Sequence, residues 1–485
     1  MNKLKLGLLI CLLALGFIVR LYKFNGPVAD WHSWRQADTS SVSRNFVSGG
    51  FDLLHPRFDD LSNVPSGIYD NPQGYRFVEF PIYNVFQAGL FITLGHLTIE
   101  EWGRLVTIFC SLFSAVFLYL IVKRRQSWLA GILATAFFVF LPFNIYYSRT
   151  ILPDPLMVTF ILGAIYCFDL WLNISITNKV LSIKYLILFG LTLIFSAGAF
   201  LIKPFAAFFM LPMLYLAFEK YGLNLVKKWQ LWLLAILAIL PFGAWRIWMQ
   251  QYPAGIPQSW WLLNGSNIRF HPSFFRWIFY ERLTKLILGY SGIIIFIAAF
   301  IKKYKSRDLL FVLSFTLASL VYVCVVATGN VQHDYYQILV IPSIALILAL
   351  GSINIIKFFE KYHKFLGVGI VFILVIVGFY FAWNQIKDFY NIDNPSIIAA
   401  GQAVDKLTPK NAKVIANYNG DTSFLYQTKR KGWASFEKGL PQMVQMGASY
   451  LALVNPTPAD IHLGTMYKII AQTPQYIIFD LRQKL

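Results

Sequence analysis

Asp30-Trp31-His32-Ser33-Trp34-Arg35-Gln36-Ala37-Asp38-Thr39 lies within about a dozen residues of an apolar run that ends near Tyr22. Two carboxylates, an imidazole, a guanidinium and two indoles share this one short stretch. The 485-residue chain around it is 57% hydrophobic and only 13% charged. A chain with so few ionisable groups has placed several of them together at a membrane boundary, where charge is expensive and therefore functional by default. The chemistry is expected there.

The rest of the composition agrees with a membrane setting. Mean hydropathy is +0.57, and 44 Phe and 14 Trp exceed what a soluble globular core needs. Repeated apolar runs near twenty residues indicate membrane spans. The net charge of +19 does not indicate nucleic acid, because most Lys and Arg sit in short clusters between apolar runs, as topology signals do. The start, Met1-Asn2-Lys3-Leu4-Lys5 followed by an apolar run to Val19, ends at Arg20-Leu21-Tyr22 without a small-x-small site. It predicts an uncleaved first span. Cys11, Cys110, Cys167 and Cys324 all lie in apolar runs and are expected as small buried core residues, with no disulfide and no metal spacing.

Twelve apolar runs lie near residues 6–22, 82–98, 104–122, 129–147, 155–173, 185–202, 204–218, 230–249, 286–301, 309–328, 335–356 and 365–383. Six basic clusters separate them: Lys3/Lys5, Lys123-Arg124-Arg125, Lys179/Lys184, Lys220/Lys227/Lys228, Lys302/Lys303/Lys305/Arg307 and Lys357/Lys361/Lys364. All six fall on the inner side only if the run 82–98 does not cross. That run is short and carries Asn84, Gln87, Gly89 and Gly95, so it is expected as an interfacial helix. Eleven spans remain. Loops 23–103, 148–154, 250–285 and 329–334 then share one outer face with the Lys203-Pro204 break. The segment 388–485 is polar, with turn signals at Asn394-Pro395, Thr408-Pro409 and Asn419-Gly420. It predicts a small α/β domain on the outer face, with strands at 414–416 and 476–479 and helices over 396–407 and 437–447.

Several polar groups stand on that face. Asp38 or Thr39 is expected to cap a helix running to Phe46, and an earlier start would let Arg35 and Asp38 meet at i, i+3. Either they form a pair that only shapes the loop, or one carboxylate is a general base or metal ligand while Arg35 or His32 handles phosphate. Asp59-Asp60 is expected as a solvated turn. Glu79 precedes the interfacial helix, where a carboxylate needs a partner or a function. Arg149 and Asp154 stand between two spans with almost no loop, as a structural pair or as working groups. Lys203 is the lone basic residue of an outer turn; a lipid phosphate or Asp154 is its natural partner, and snorkelling is the plain alternative. His333, Asp334, Tyr335 and Tyr336 open the tenth span and can bind sugar hydroxyls, phosphate or a metal. Trp260-Trp261 suit sugar stacking or interfacial anchoring. No nucleotide fingerprint appears.

These residues, in order, resemble a known family. Glu79-Phe80-Pro81-Ile82-Tyr83, Arg104 opening a span, Arg149-(x4)-Asp154-Pro155, Lys203-Pro204 and His333-x-Tyr335-Tyr336 resemble the GT-C membrane glycosyltransferases. The nearest branch looks like bacterial relatives of the protein O-mannosyltransferases and the lipid A aminoarabinose transferase. The resemblance implies an all-α polytopic membrane protein of about 11 spans with a large first outer loop and a small C-terminal α/β domain. It implies a multi-pass inner-membrane glycosyltransferase working at the outer face, with an inverting transfer from a polyprenyl-phosphate sugar to a lipid, glycan or protein acceptor. By the same resemblance the catalytic candidates are Asp30, Asp38, Glu79 and Asp154. Arg35, Arg149 and Lys203 would hold the donor phosphate, and His32, His333, Tyr335 and Tyr336 would contact substrate. One departure stands out. The adjacent acidic pair of better-known members falls at Arg35-Gln36 here, so the base must be Asp30 or Asp38; Asp30, closest to the first span, is the first choice. A divalent metal ion stays open as a cofactor, and no nucleotide cofactor or nucleic-acid partner is expected. The rival classes are a flippase or transporter of lipid-linked saccharides, which would bury charges along its spans, and a scaffold that recruits partners through its outer domain.

Overall fold

The computed structural model describes residues 3–174, 182–301 and 306–485, so the basic positions Lys179, Lys302, Lys303 and Lys305 lie outside the described residues. Among the described residues, seven helices are long and apolar enough to cross a membrane, and an eighth arises if Pro272–Ile287 and Gly292–Ile301, bent by 112°, form one span. The helix Ile99–Arg125 shows how the sequence sets these elements. Thr98 and Glu101 form a reciprocal capping box, acids occupy the first turn, and Lys123-Arg124-Arg125 closes the last. Both ends thus complement the helix dipole. The basic end meets Asp169, which lies 2.6 Å from Arg124 and also pairs with Arg125. That pairing gives the Asp169 carboxylate, which lies within an apolar helix, two cationic partners.

The run 82–98 forms a helix only over Ile82–Leu94, 13 residues. At 1.5 Å per residue this is about 20 Å, short of a hydrocarbon core of about 30 Å. Its polar residues face the helix Ser33–Gly49. Gln87 donates to Ser40 Oγ (2.9 Å) and accepts from Ser43 (2.8 Å), and Asn84 donates to the Thr39 carbonyl (2.6 Å). The neighbouring helix Ser33–Gly49 can therefore be polar and still buried along most of its length, because the hydroxyls of Thr39, Ser40, Ser41 and Ser43 all find partners. Two expected spans are divided into shorter helices near prolines: Trp128–Phe140 is followed by Pro142–Tyr147, and Ala206–Phe209 by Leu211–Tyr221. Cys110 and Cys167 are buried, but Cys11 and Cys324 are exposed. The expectation of four buried cysteines is thus corrected: on a lipid-facing helix surface a thiol needs no protein cover. All four are free.

After residue 388 the chain forms a five-stranded sheet of order β2-β1-β3-β5-β4. The strands are β1 (Lys413–Ala416), β2 (Lys431–Trp433), β3 (Tyr450–Val454), β4 (Tyr467–Gln472) and β5 (Tyr476–Lys484). β1 is parallel to both β2 and β3, whereas β5 is antiparallel to β3 and β4. The helix Pro395–Leu407 is capped by Asn394, as the turn signal suggested. The helix expected over 437–447 is shorter, Leu440–Gln445, because Pro441 sits in its first turn. Two apolar cores form, one including Val414, Ala452 and Ile478 and the other Ile415, Leu451 and Phe479, as strand alternation requires. Ala29 joins the first core and Leu61 the second, so the segment after the first helix is built into the domain.

The same segment closes the β2 edge. Leu61 N–H donates to the Gly432 carbonyl (2.7 Å), and Gly432 N–H donates to the Asp59 carbonyl (3.0 Å). Gly432 is required at this point, since a Cβ would run into the Val414 carbonyl. Asp59 and Asp60 are consequently buried, which corrects the expectation of a solvated turn.

Candidate active site

The site is organised by the helix Ser33–Gly49, which begins about six residues before the expected Thr39 start. His32 precedes it with a left-handed backbone (φ 57°, ψ 33°). A non-glycine residue adopts that conformation only when its surroundings fix it. Here His32 Nε2 lies 2.7 Å from Asp334 Oδ1. Asp334 also accepts from Trp31 Nε1 (3.1 Å) and Tyr147 Oη, so one buried carboxylate ties the loop to two span ends.

With the early start, Arg35 and Asp38 both project from a buried helix and find distant partners rather than each other. Arg35 pairs with Glu79. Asp38 Oδ2 lies 2.6 Å from Arg76, and Asp38 Oδ1 accepts from Thr422 Oγ1 at 2.7 Å. The i, i+3 pairing is thus corrected. Asp30 meets Arg149 (2.7 Å) and accepts from Gln36 Nε2 (2.7 Å). Asp154 meets Lys203 at 2.6 Å, and Lys203 Nζ stands 5.7 and 5.2 Å from the rings of Tyr335 and Tyr336. Arg149 and Asp154 therefore do not pair with each other. Every candidate residue singled out from the sequence lies in this one connected region.

A cavity of about 580 Å³ opens beside these pairs. Its wall includes Arg35, Asp38, Lys203, His333, Tyr335 and Tyr336. Glu79 borders a narrow void adjoining it, together with Arg35, Asp38 and Arg76. Asp30, Arg149, Asp154 and His32 stand behind the wall and are not among its lining residues. The cavity is closed on one side by the C-terminal domain, through Gly420 and Thr422, and on another by residues 256–263.

Burial and charge pairing pull against each other at this wall. Burial pushes the Glu79 carboxyl up, but Arg35, Lys203 and Arg76 outweigh it and hold it below its ordinary range. Burial, and then the nearby His32, push His333 down to about 4, so this imidazole is neutral near pH 7. It stacks on Tyr335 with ring centres 5.5 Å apart and lies 5.6 Å from the rings of both Trp34 and Trp261. Asp60, which also lines the cavity, is pushed up to about 7 by burial, with Asp38 adding to the effect.

Among the described residues, no three His, Cys, Asp or Glu side chains converge.

Sequence reasoning gave no site role to Arg76, Arg246, Asp60 or Thr422, all of which line the cavity. Among the described residues, Arg246 has no carboxylate within 4 Å; its guanidinium lies 5.1 Å from the Phe242 ring and 5.4 Å from Trp245. Its place at the outer end of an apolar run, on the face where basic clusters are not expected, was the available signal.

A profile of the dolichyl-phosphate-mannose-protein mannosyltransferase family matches residues 81–248, about a third of the chain. That segment carries Arg149, Asp154, Lys203 and Arg246. No curated protein matches the chain in sequence. Among solved structures, ArnT from Cupriavidus metallidurans bound to undecaprenyl phosphate is similar over 98% of both chains, with TM-score 0.65 and 13% identity. An oligosaccharyltransferase from Archaeoglobus fulgidus is similar over 97% of this chain and 73% of its own, with TM-score 0.62 and 10% identity. The archaeal oligosaccharyltransferase AglB in complex with an inhibitory peptide and a dolichol-phosphate covers 94% of this chain and 70% of its own, with TM-score 0.61 and 10% identity. The chain has the GT-C fold, a helical membrane part with a small C-terminal sheet.

Proposed function

We propose, from the GT-C fold that the chain shares with ArnT and from its match to the protein mannosyltransferases, that it is a glycosyltransferase. It moves a sugar from a polyprenyl-phosphate donor to an acceptor at the outer face of the inner membrane. The observation that carries this reading is the cavity wall, which sets Lys203, Arg246 and Arg35 beside Asp38 and an aromatic floor of Tyr335 and Tyr336. Cations on one side suit a phosphate whose charge grows as the glycosyl bond breaks. The carboxylate suits the nucleophile.

In the transfer, the acceptor oxygen or nitrogen attacks the anomeric carbon. The bond from that carbon to the phosphate oxygen breaks, and its electron pair leaves with the lipid phosphate. The acceptor proton goes to Asp38, and the anomeric centre inverts. Asp38 is preferred over Asp30 because it lines the cavity, whereas Asp30 does not. Asp30 and Arg149 then hold the loop in place, and Asp154 fixes Lys203 toward the wall. Neutral His333 can donate a hydrogen bond to a sugar hydroxyl or accept one from it.

A carrier would line a path through the spans with charge. Here the charged pairs gather around the cavity at one end of the spans, and Asp169 is used at the other end by Arg124 and Arg125. The test mixes the purified protein with radiolabelled polyprenyl-phosphate sugars and candidate acceptors. Labelled product with release of free lipid phosphate is expected; no release from any donor would overturn the reading.

A further inference from the structure

We propose that the acceptor is a saccharide, held at the cavity by Asp38 and Asp60 together and stacked on the tryptophans of the wall. This rests on the transferase reading and names its second substrate. Asp60 lies outside every residue set assigned above from sequence. It is 1% exposed yet borders the same cavity as Asp38, and both also border a smaller void beneath Thr422 and Tyr426. Its oxygens accept from Ser62 Oγ (2.7 Å), Ser62 N (3.1 Å) and Ala434 N (3.4 Å). Among the described residues no cation pairs with it; the neighbouring Asp59 takes Arg44, and Asp38 takes Arg76.

A sugar presents neighbouring hydroxyl donors on its edge and C–H groups on its face. Two carboxyls on one wall suit the donors, and Trp34, Trp260 and Trp261 on the same wall suit the face. Trp260 is 86% exposed, a position open to a ring arriving from outside. Burial brings the Asp60 carboxyl to about 7, so it can accept or donate a hydrogen bond near neutrality.

One mode of peptide docking adds an extended peptide to an unpaired strand edge through main-chain hydrogen bonds. The edge beside this cavity is β2, and residues 59–61 of the chain already occupy it.

The test has two arms on the full-length protein in detergent. In the first, tryptophan fluorescence is titrated with methyl glycosides and short oligosaccharides, and separately with Ser/Thr-containing octapeptides. Saccharides are expected to bind saturably and peptides not. Asp60→Asn should weaken saccharide binding about 10- to 100-fold, the loss expected for a hydrogen bond to a charged group. If Asp60→Asn fails to fold, the exposed Trp260→Ala serves instead, with a loss in the same range. In the second arm the same compounds compete as acceptors for label from polyprenyl-phosphate sugars. Labelled peptide with no labelled saccharide overturns the proposal while upholding the transferase. Wild-type saccharide affinity in both variants overturns it as well. Failure to consume any donor overturns the transferase reading, and the fluorescence arm then decides the saccharide site separately.

Discussion

Asparagine at Asp30 and at Asp38 should produce opposite phenotypes, because the two carboxylates stand on opposite sides of the cavity wall. Asp30 is 4% exposed and pairs at 2.7 Å with Arg149, whose side chain is 2% exposed. Neutralising it leaves a buried guanidinium with its Nε already unpartnered and with only the Lys23 carbonyl at 3.3 Å and the rings of Tyr146 and Tyr390, at 5.2 and 4.5 Å, to face it. Breaking a buried pair on one side costs about 3–5 kcal/mol. In a thermal melt of the detergent-solubilised protein this is a drop of at least several degrees. Turnover per folded molecule should change little, since Asp30 does not face the cavity. Asp38→Asn keeps the Thr422 contact, and Arg76 is near enough to solvent, with an 11% exposed side chain, to be rehydrated. Its melt should move less than that of Asp30→Asn. Its kcat should fall about 10²–10⁴-fold, the usual value of general-base help. Turnover is read as free lipid phosphate released per folded enzyme. Full activity in Asp38→Asn, or a chemical loss confined to Asp30→Asn with an unchanged melt, would refute the assignment.

Three further outcomes follow from the same geometry. Arg246→Gln should raise the donor KM about 10- to 100-fold with little change in melting temperature, because no carboxylate loses a partner; an unchanged KM would remove Arg246 from the donor site. Asp60 is raised from an unfolded value of about 3.9 to about 7, so the folded state binds the extra proton between those limits. Its contribution to stability is therefore present at low pH and is lost as pH rises from about 4 to about 7, by up to about 4 kcal/mol. The difference in stability between wild type and Asp60→Asn should show that slope and flatten above pH 7; a parallel pair of curves would refute the shift. Single cysteines at Gly95 or Glu101, in a background lacking the four native thiols, should react with an impermeant reagent from outside the cell, and labelling only from the inside would refute the interfacial placement of Ile82–Leu94.

The sequence shows where charge sits along the chain, but not which charge each group meets. Spans, basic clusters and the outer domain follow from local composition, so Asp30, Glu79, Arg149, Asp154, Lys203 and His333 could be put on one face from the order of residues alone. The i, i+3 rule for Arg35 and Asp38 assumes a helix surface in water, where neighbours on the same helix are the available partners. The Ser33–Gly49 helix is buried instead, and a buried charge is decided by whatever packs against it, here Glu79 and Arg76, some 40 residues away. Asp59-Asp60 fails as a turn for the same reason at longer range: the edge it pairs with, β2, lies more than 370 residues later in the chain. A local pattern carries no trace of such a partner. The consequence is specific to this site. The cavity is walled by the first loop, the span ends and the C-terminal domain together, so Asp38 is presented by Thr422 from the domain as much as by its own helix. Substitutions in the C-terminal segment should then alter the chemistry of a carboxylate that the sequence places almost 400 residues away.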